Sequence, residues 1–316
     1  MNNFQSIQNL LQSKAEYQAR LNLIPYKGTI EIKEISGKKY LYIRKRENNK
    51  LRSTYVDLYS EELHQLLLKD IKTARILERK IKNIEKELEV LGYSEKELAE
   101  HILLNLEFAR VNMKQLIYDQ AILEGIRTTF PDTERILENA KISNISASDV
   151  QKILNLKHAW EFILDKDVIQ TPTNYYLSQH IAKLVNQGFF IDGGRIRAVP
   201  VTIGGTSYVP KVPYEHEVKE SIDNIISSSV NVIDTAINLI LYMMKSQVFN
   251  DGNKRTAIIF ANHYLISQGK GLIIIPDNLV EEFRKLLVDY YEGNNTVLIK
   301  EFLLNKCYKP LKTKGE

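Results

Sequence analysis

The chain has 316 residues, 44% of them apolar and 26% charged, with a formal net charge of +4. That length exceeds one ordinary domain and supplies ample core, and the charge is too small to mark the whole chain as a nucleic-acid binder. The sole cysteine, Cys307, excludes an intrachain disulfide framework and any cysteine-rich zinc site, and reads as a small apolar residue near the C-terminus. The N-terminus lacks a signal-peptide pattern and no stretch approaches 18 apolar residues, so a cytoplasmic protein without a membrane partner is expected.

The first legible elements are strands. Thr29–Ile35, a Ser36-Gly37 turn, Lys39–Arg46, an Asn48-Asn49 turn and Leu51–Leu58 read as a three-stranded meander. On the middle strand Tyr40, Tyr42 and Arg44 share one face, and Leu41, Ile43 and Lys45 the other. Nine basic and three acidic residues lie between Lys27 and Arg52, so this segment carries +6 and the remainder −2. Cations interleaved with Tyr40, Tyr42 and Tyr55 suit nucleic acid, making residues 27–58 a candidate nucleic-acid or protein-docking surface. The plainer alternative is a solvated meander whose lysines and arginines guard its edges.

Residues 60–91 read as a long helix with Ile71, Leu77, Ile81, Ile84, Leu88 and Leu91 as apolar contacts, ended by Gly92. A second helix runs from about Glu95 to Leu123, and the two are expected to pair as a hairpin. Gly125 is a helix-ending glycine beside Glu124. Further on, Arg197 to Tyr208 alternates Val and Ile about Gly204 and Gly205, the pattern of a two-stranded ribbon.

The densest chemistry lies in Gln247-Val248-Phe249-Asn250-Asp251-Gly252-Asn253-Lys254-Arg255. An apolar helix stops at Phe249, the chain turns on Gly252, and a new helix starts near Asn253. Its first turn carries Lys254 and Arg255, so free N–H groups, a positive dipole end and two cations favour a phosphate there. Asp251 supplies a hard oxygen ligand at the edge, where Mg²⁺ bridging to a phosphate would sit.

This run resembles the signature loop of the Fic (Fido) family, HxFx(D/E)GN(G/K)RxxR. Phe249, Asp251, Gly252, Asn253 and Arg255 match it, and Lys254 matches the Doc-like branch. The resemblance extends over roughly residues 100–308. It implies a mainly α-helical fold with a short β-hairpin flap, preceded here by the basic meander and a helical linker. The implied division is 1–60 meander, 61–100 linker, 101–308 Fic domain and 309–316 disordered tail. The flap, with Val199, Val201, Ile203, Gly204 and Gly205, is implied to dock a target protein by strand addition. The implied ligands are ATP or another NTP with Mg²⁺. Asp251 would hold the metal, and Phe249, Gly252, Asn253, Lys254 and Arg255 would bind the nucleotide.

Two positions depart from the pattern. Gln247 stands where the family has its catalytic His, and Ile258 where many members have a second Arg. A carboxamide cannot accept a proton, though it can orient a hydroxyl, and loss of a general base costs on the order of 10²–10⁴-fold in rate. Glu124 and Gly125 resemble the end of the family's inhibitory helix, (S/T)xxxE(G/N), with Gln120 in the Ser/Thr position. His263 lies about two helical turns beyond Arg255 and reads as structural. The resemblance implies a protein adenylyltransferase weakened by loss of the His, with phosphate transfer also open because of Lys254. The alternative is an inactive nucleotide-sensing regulator that uses the basic sheet to bind nucleic acid or a partner protein.

Overall fold

A computed structural model describes residues 3–47, 50–93, 97–138, 140, 145–228 and 231–311. The expected Asn48-Asn49 turn and the tail residues 312–316 lie outside the described residues, and the helix expected from about Glu95 begins at Glu100. The chain divides into two units, Met1–Glu95 and Lys96–Glu316.

The first unit opens with a helix that the sequence reading did not anticipate, α1 (Asn3–Asn22). Three antiparallel strands follow in the order β1 (Thr29–Ile35), β2 (Lys38–Glu47) and β3 (Lys50–Leu58). Ser36 and Gly37 both have positive φ, which matches a tight turn to the strand twist. Leu41 and Ile43 are buried, so β2 faces the core as its alternation requires.

The long helix α2 (Glu61–Val90) is capped by Ser60, whose hydroxyl accepts from the Leu63 N–H. Its buried stripe, Leu67, Ile71, Ala74, Leu77, Ile81, Ile84 and Leu88, recurs every three or four residues. Leu21 packs with Ala74, Leu77 and Ile81, whereas Leu11 packs with Ile84 and Leu88, so α1 and α2 run antiparallel. Residues 61–90 fall in the first unit with the sheet. Each fully buried Leu or Ile contributes roughly 1.5–3 kcal/mol. That burial, more than local propensity, holds these charge-rich helices together.

The second unit is mainly helical. In order it contains α3 (Glu100–Leu123), α4 (Phe130–Leu137), α5 (Ala147–Ile163), α6 (Tyr175–Val185), α7 (Glu215–Ser228), α8 (Val232–Ser246), α9 (Asn253–Ser267), α10 (Val280–Tyr291) and α11 (Thr296–Phe302). A short pair, β4 (Leu272–Ile273) and β5 (Tyr308–Lys309), closes the chain on itself. Helix α9 is the centre: Thr256 through His263 are fully buried without a break, and α3, α5, α6 and α8 pack around it. A helix with apolar residues on every face and its few polar groups bonded inside belongs in the core. Asn262 ties it to β4 by accepting from Ile273 N–H (2.9 Å) and donating to Ile273 O (2.7 Å). Among the described residues no helix is long and apolar enough to cross a membrane.

Residues 197–210 correct one expectation. They form an open loop rather than a paired ribbon, and an isolated bridge between Ile196 and Phe249 lies just before them. Pro200 and Pro210 lack N–H donors, and Gly204-Gly205 carries no side chain to pack, so a ladder inside this segment has little to hold it.

Candidate functional site

Two left-handed residues shape the loop between α8 and α9. Gln247 (φ 47°) ends α8, and Gly252 (φ 72°) precedes α9. A Cβ at Gly252 would sit 2.9 Å from Asn186 Oδ1 and 3.0 Å from Val185 Cγ2, so glycine is required twice over. No side chain caps α9. Thr256 N–H bonds back to Gly252 O (2.8 Å), which leaves the N–H groups of Asn253, Lys254 and Arg255 as the unspent donors of the helix start.

Side chains then fix the loop from beneath. Asn253 accepts from Phe249 N–H (2.9 Å) and donates to Phe249 O (2.7 Å) and Gln247 Oε1 (3.1 Å). The Gln247 amide also donates to Met244 O (2.6 Å). Asn186 donates to Asp251 O (2.9 Å) and Gly193 O (3.1 Å). Gln120 is fully buried, donates to Arg255 O (2.9 Å), and accepts from the Trp160 indole (3.0 Å). The polar position that departs from the family's Ser/Thr is thus a tie between α3 and α9.

Arg197 is a buried cation, only 1% exposed. Its guanidinium donates to Gln247 O (2.5 Å), Val199 O (2.8 Å), Pro210 O (3.2 Å) and Lys211 O. One side chain therefore closes the base of the 197–211 loop and fastens it to the 247–252 turn. Burial pushes its pKa down, yet it stays protonated because the ordinary arginine value is so far above neutrality. The loop's far end rests on α10: Thr206 donates to Glu292 (3.0 Å), and Tyr208 stacks on Tyr291 at 6.1 Å. Lys245 lies over the rings of Tyr208 and Tyr290.

Between these pieces lies a cleft of about 610 Å³. Its floor is Gln247 and Asn250–Lys254; one wall is Val201–Gly205, and the other is Leu287, Val288, Tyr291 and Arg284. Glu124, at the end of α3, reaches into it. The carboxylate stands 3.3 Å from Arg255 Nε and 3.8 Å from Lys254 Nζ. Neither contact is a well-formed hydrogen bond: Arg255 Nε and Glu124 Oε1 are buried without a hydrogen-bond partner among the described residues. Buried polar atoms left unsatisfied are costly and point to a missing partner.

Several sequence-expected residues gather here: Gln247, Asp251, Gly252, Asn253, Lys254, Glu124, Val201, Ile203, Gly204 and Gly205 line the cleft. Others do not. Phe249 is fully buried and anchors the loop, and Val199 is exposed outside the lining. Arg255 is only 2% exposed and is held below the loop by Val185 O (2.8 Å) and Asp251 Oδ2 (2.9 Å). Gly125, with φ 81°, ends the inhibitory-helix candidate. Ile258 is core, and so is His263. Burial pushes the His263 pKa down to about 4. Its Nε2–H donates to Val168 O (3.0 Å), and its Nδ1 accepts from the Thr173 hydroxyl (2.8 Å), so it is structural. Burial pushes the Cys307 thiol up to about 12, which makes it inert.

A divalent cation can be tested against the donors present. No group of three or more His, Cys, Asp or Glu residues fit to hold a metal occurs among the described residues. Asp251 is the acidic group at the loop edge, with one carboxylate oxygen bonded to Arg255. A resident metal cage is therefore not built here. The set fits Mg²⁺, which binds through one or two carboxylates, several waters and substrate phosphates.

Comparisons with known proteins agree with this fold. Residues 172–265 match the model of the Fic/DOC family, and residues 4–65 match that of a domain of unknown function, DUF6788. Fic-1 (residues 134–508) from C. elegans superposes with a TM-score of 0.53 at 18% identity, over 78% of this chain and 73% of that one. A Fic-domain-containing signalling protein from Bacteroides thetaiotaomicron gives 0.53 at 18%, over 67% and 87%. A Fic family protein from Desulfovibrio desulfuricans gives 0.50 at 14%, over 67% and 73%. At these identities the likeness establishes the fold. No curated protein matches the chain.

Proposed function

Taking residues 172–265 as a Fic/DOC family domain, we propose that the cleft binds a nucleoside triphosphate with Mg²⁺ and is a protein adenylyltransferase site without its proton acceptor. One observation carries this reading. The uncapped start of α9 opens beside Lys254, with Asp251 at its rim and the unsatisfied Glu124 Oε1 in its lining. Triphosphate oxygens would accept from the Gly252–Lys254 backbone and from Lys254. Asp251 would hold the metal, which supplies charge neutralisation across neighbouring phosphates when bound. Arg255 would act from below, by orienting Asp251.

AMP transfer joins a hydroxyl oxygen of the target to the α-phosphorus and releases pyrophosphate, and the hydroxyl proton must leave. Gln247 offers that proton no base, and both ends of its amide are already bonded within the loop. The remaining parts position and stabilise charge, on which phosphoryl-type transfer mostly depends. The target would lie along residues 199–205, whose backbone forms no ladder of its own. Glu124 stands beside Lys254 and would compete with the nucleotide for that cation.

A second reading is a nucleotide-sensing regulator with no transfer activity. The engagement of Gln247 at both ends favours it, because the residue acts as a loop tie. Incubation of wild type and Gln247→His with α-labelled and γ-labelled ATP, Mg²⁺ and lysate separates the readings. Protein labelling from α-labelled ATP that rises in the His variant supports the adenylyltransferase site. Labelling from γ-labelled ATP alone would indicate phosphate transfer. No label from either protein supports the regulator.

A further inference from the structure

The N-terminal unit holds a polar hollow of its own. Residues 22–27 flank one face of the β2–β3 ladder and leave a cavity of about 390 Å³, lined in part by Tyr26, Lys27, Lys45, Arg52 and Thr54. The strand register explains the grouping. Lys45 faces Arg52 and Ile43 faces Thr54 across the ladder, so the four share one side of the sheet. No Asp or Glu lines the hollow.

This arrangement brings like charges together. Like charges directly opposite one another on neighbouring strands are destabilising. Lys27 adds a third cation, with its pKa lowered first by burial and then by Lys45; Glu78 is the acidic group that offsets this. Protection of sheet edges does not account for the cluster, because Lys45 lies on β2, the central strand, which is paired on both sides. The aromatic face differs. Tyr55 packs against Tyr40 (6.2 Å) and Tyr42 (5.6 Å), and Lys33 lies over Tyr42, so those rings are occupied with one another. The cations around the hollow, not the tyrosines, are the better guide to a ligand.

We propose that the hollow between residues 22–27 and the β2–β3 ladder is a phosphate-binding pocket, in which Lys27, Lys45 and Arg52 surround one phosphate group and Tyr26 and Thr54 donate hydroxyl hydrogen bonds. The phosphate comes either from the backbone of a single-stranded nucleic acid or from free phosphate or a small ester. The pocket is independent of the nucleotide cleft.

The test uses the full chain. A fluorescently labelled thymidine oligonucleotide is titrated by anisotropy at several salt concentrations, and inorganic phosphate is titrated by calorimetry. The key variant is Lys45→Ala/Arg52→Ala. The control, Lys38→Ala/Lys39→Ala, removes the same charge at the other end of β2. The first double is expected to weaken binding at least about tenfold and to flatten the log–log salt dependence of oligonucleotide binding by roughly one to two units. The control should change affinity less than about threefold, since only screened surface charge is lost. Oligonucleotide binding that phosphate displaces identifies the nucleic-acid source; phosphate binding without oligonucleotide binding identifies the small anion. Equal losses in both doubles, loss of binding in Lys254→Ala, or no binding of either probe at low salt overturns the pocket. If the first double does not fold by circular dichroism, Arg52→Gln, an exposed single change, gives the same decision.

Discussion

Gly252 and His263 carry the clearest single-residue consequences. Replacing Gly252 by Ala forces a Cβ into Asn186 at a left-handed backbone position. The expected cost is about 1–3 kcal/mol, with Asp251 displaced because Asn186 also holds its carbonyl. Chemical unfolding measures the cost, and an unchanged midpoint would contradict the fit. His263 predicts a pH effect whose sign follows from its lowered pKa, about 4 in the folded chain. The unfolded chain takes up a proton near pH 6.5 and the folded chain does not, so stability is full above pH 6.5 and falls toward pH 4. The full loss is on the order of 3 kcal/mol, counted from the shift at 1.36 kcal/mol per unit. Urea unfolding between pH 7.5 and 5 should show this decline, and it should shrink in His263→Gln. A decline of equal size in that variant would assign it to other groups.

At the scale of elements, two contacts control the cleft. Arg197 joins the 197–211 loop to the 247–252 turn, so Arg197→Met leaves several buried carbonyls without donors. The expected destabilisation is about 3 kcal/mol or more. Hydrogen exchange should rise together in residues 198–211 and 246–252, whereas a rise in one segment alone would mean that they are not coupled through this side chain. Glu124, at the end of α3, stands beside both cations of the loop. Removing its charge in Glu124→Ala should tighten Mg²⁺–ATP binding on the order of tenfold, which corresponds to about 1.4 kcal/mol. An unchanged dissociation constant would show that Glu124 does not oppose the phosphates.

Across the whole molecule, legibility followed the chemistry of the pattern. The strand faces were readable because Leu41 and Ile43 alternate cleanly with tyrosines, and the 247–255 loop because its residue types have few other uses together. Helix α1 was not, because its buried positions include Gln8, Gln12 and Glu16 beside Leu11, Ala15 and Ala19. Such a stripe has no apolar period to detect. Arg197 and Asn186 were missed as site organisers because a buried arginine that bonds carbonyls looks like any other cation in a sequence. Arg255 and Phe249, which the family pattern implies for the nucleotide, are buried and hold the loop, and the sequence carries no signal of that burial. The most direct test of the central claim is calorimetric titration of the full chain with Mg²⁺–ATP, beside Asp251→Ala and Lys254→Ala. The account predicts micromolar to millimolar binding by wild type, on the order of −4 to −8 kcal/mol, dependent on Mg²⁺ and weakened about tenfold or more by either change. Absence of binding in both wild type and Glu124→Ala, or equal binding in all variants, would contradict it.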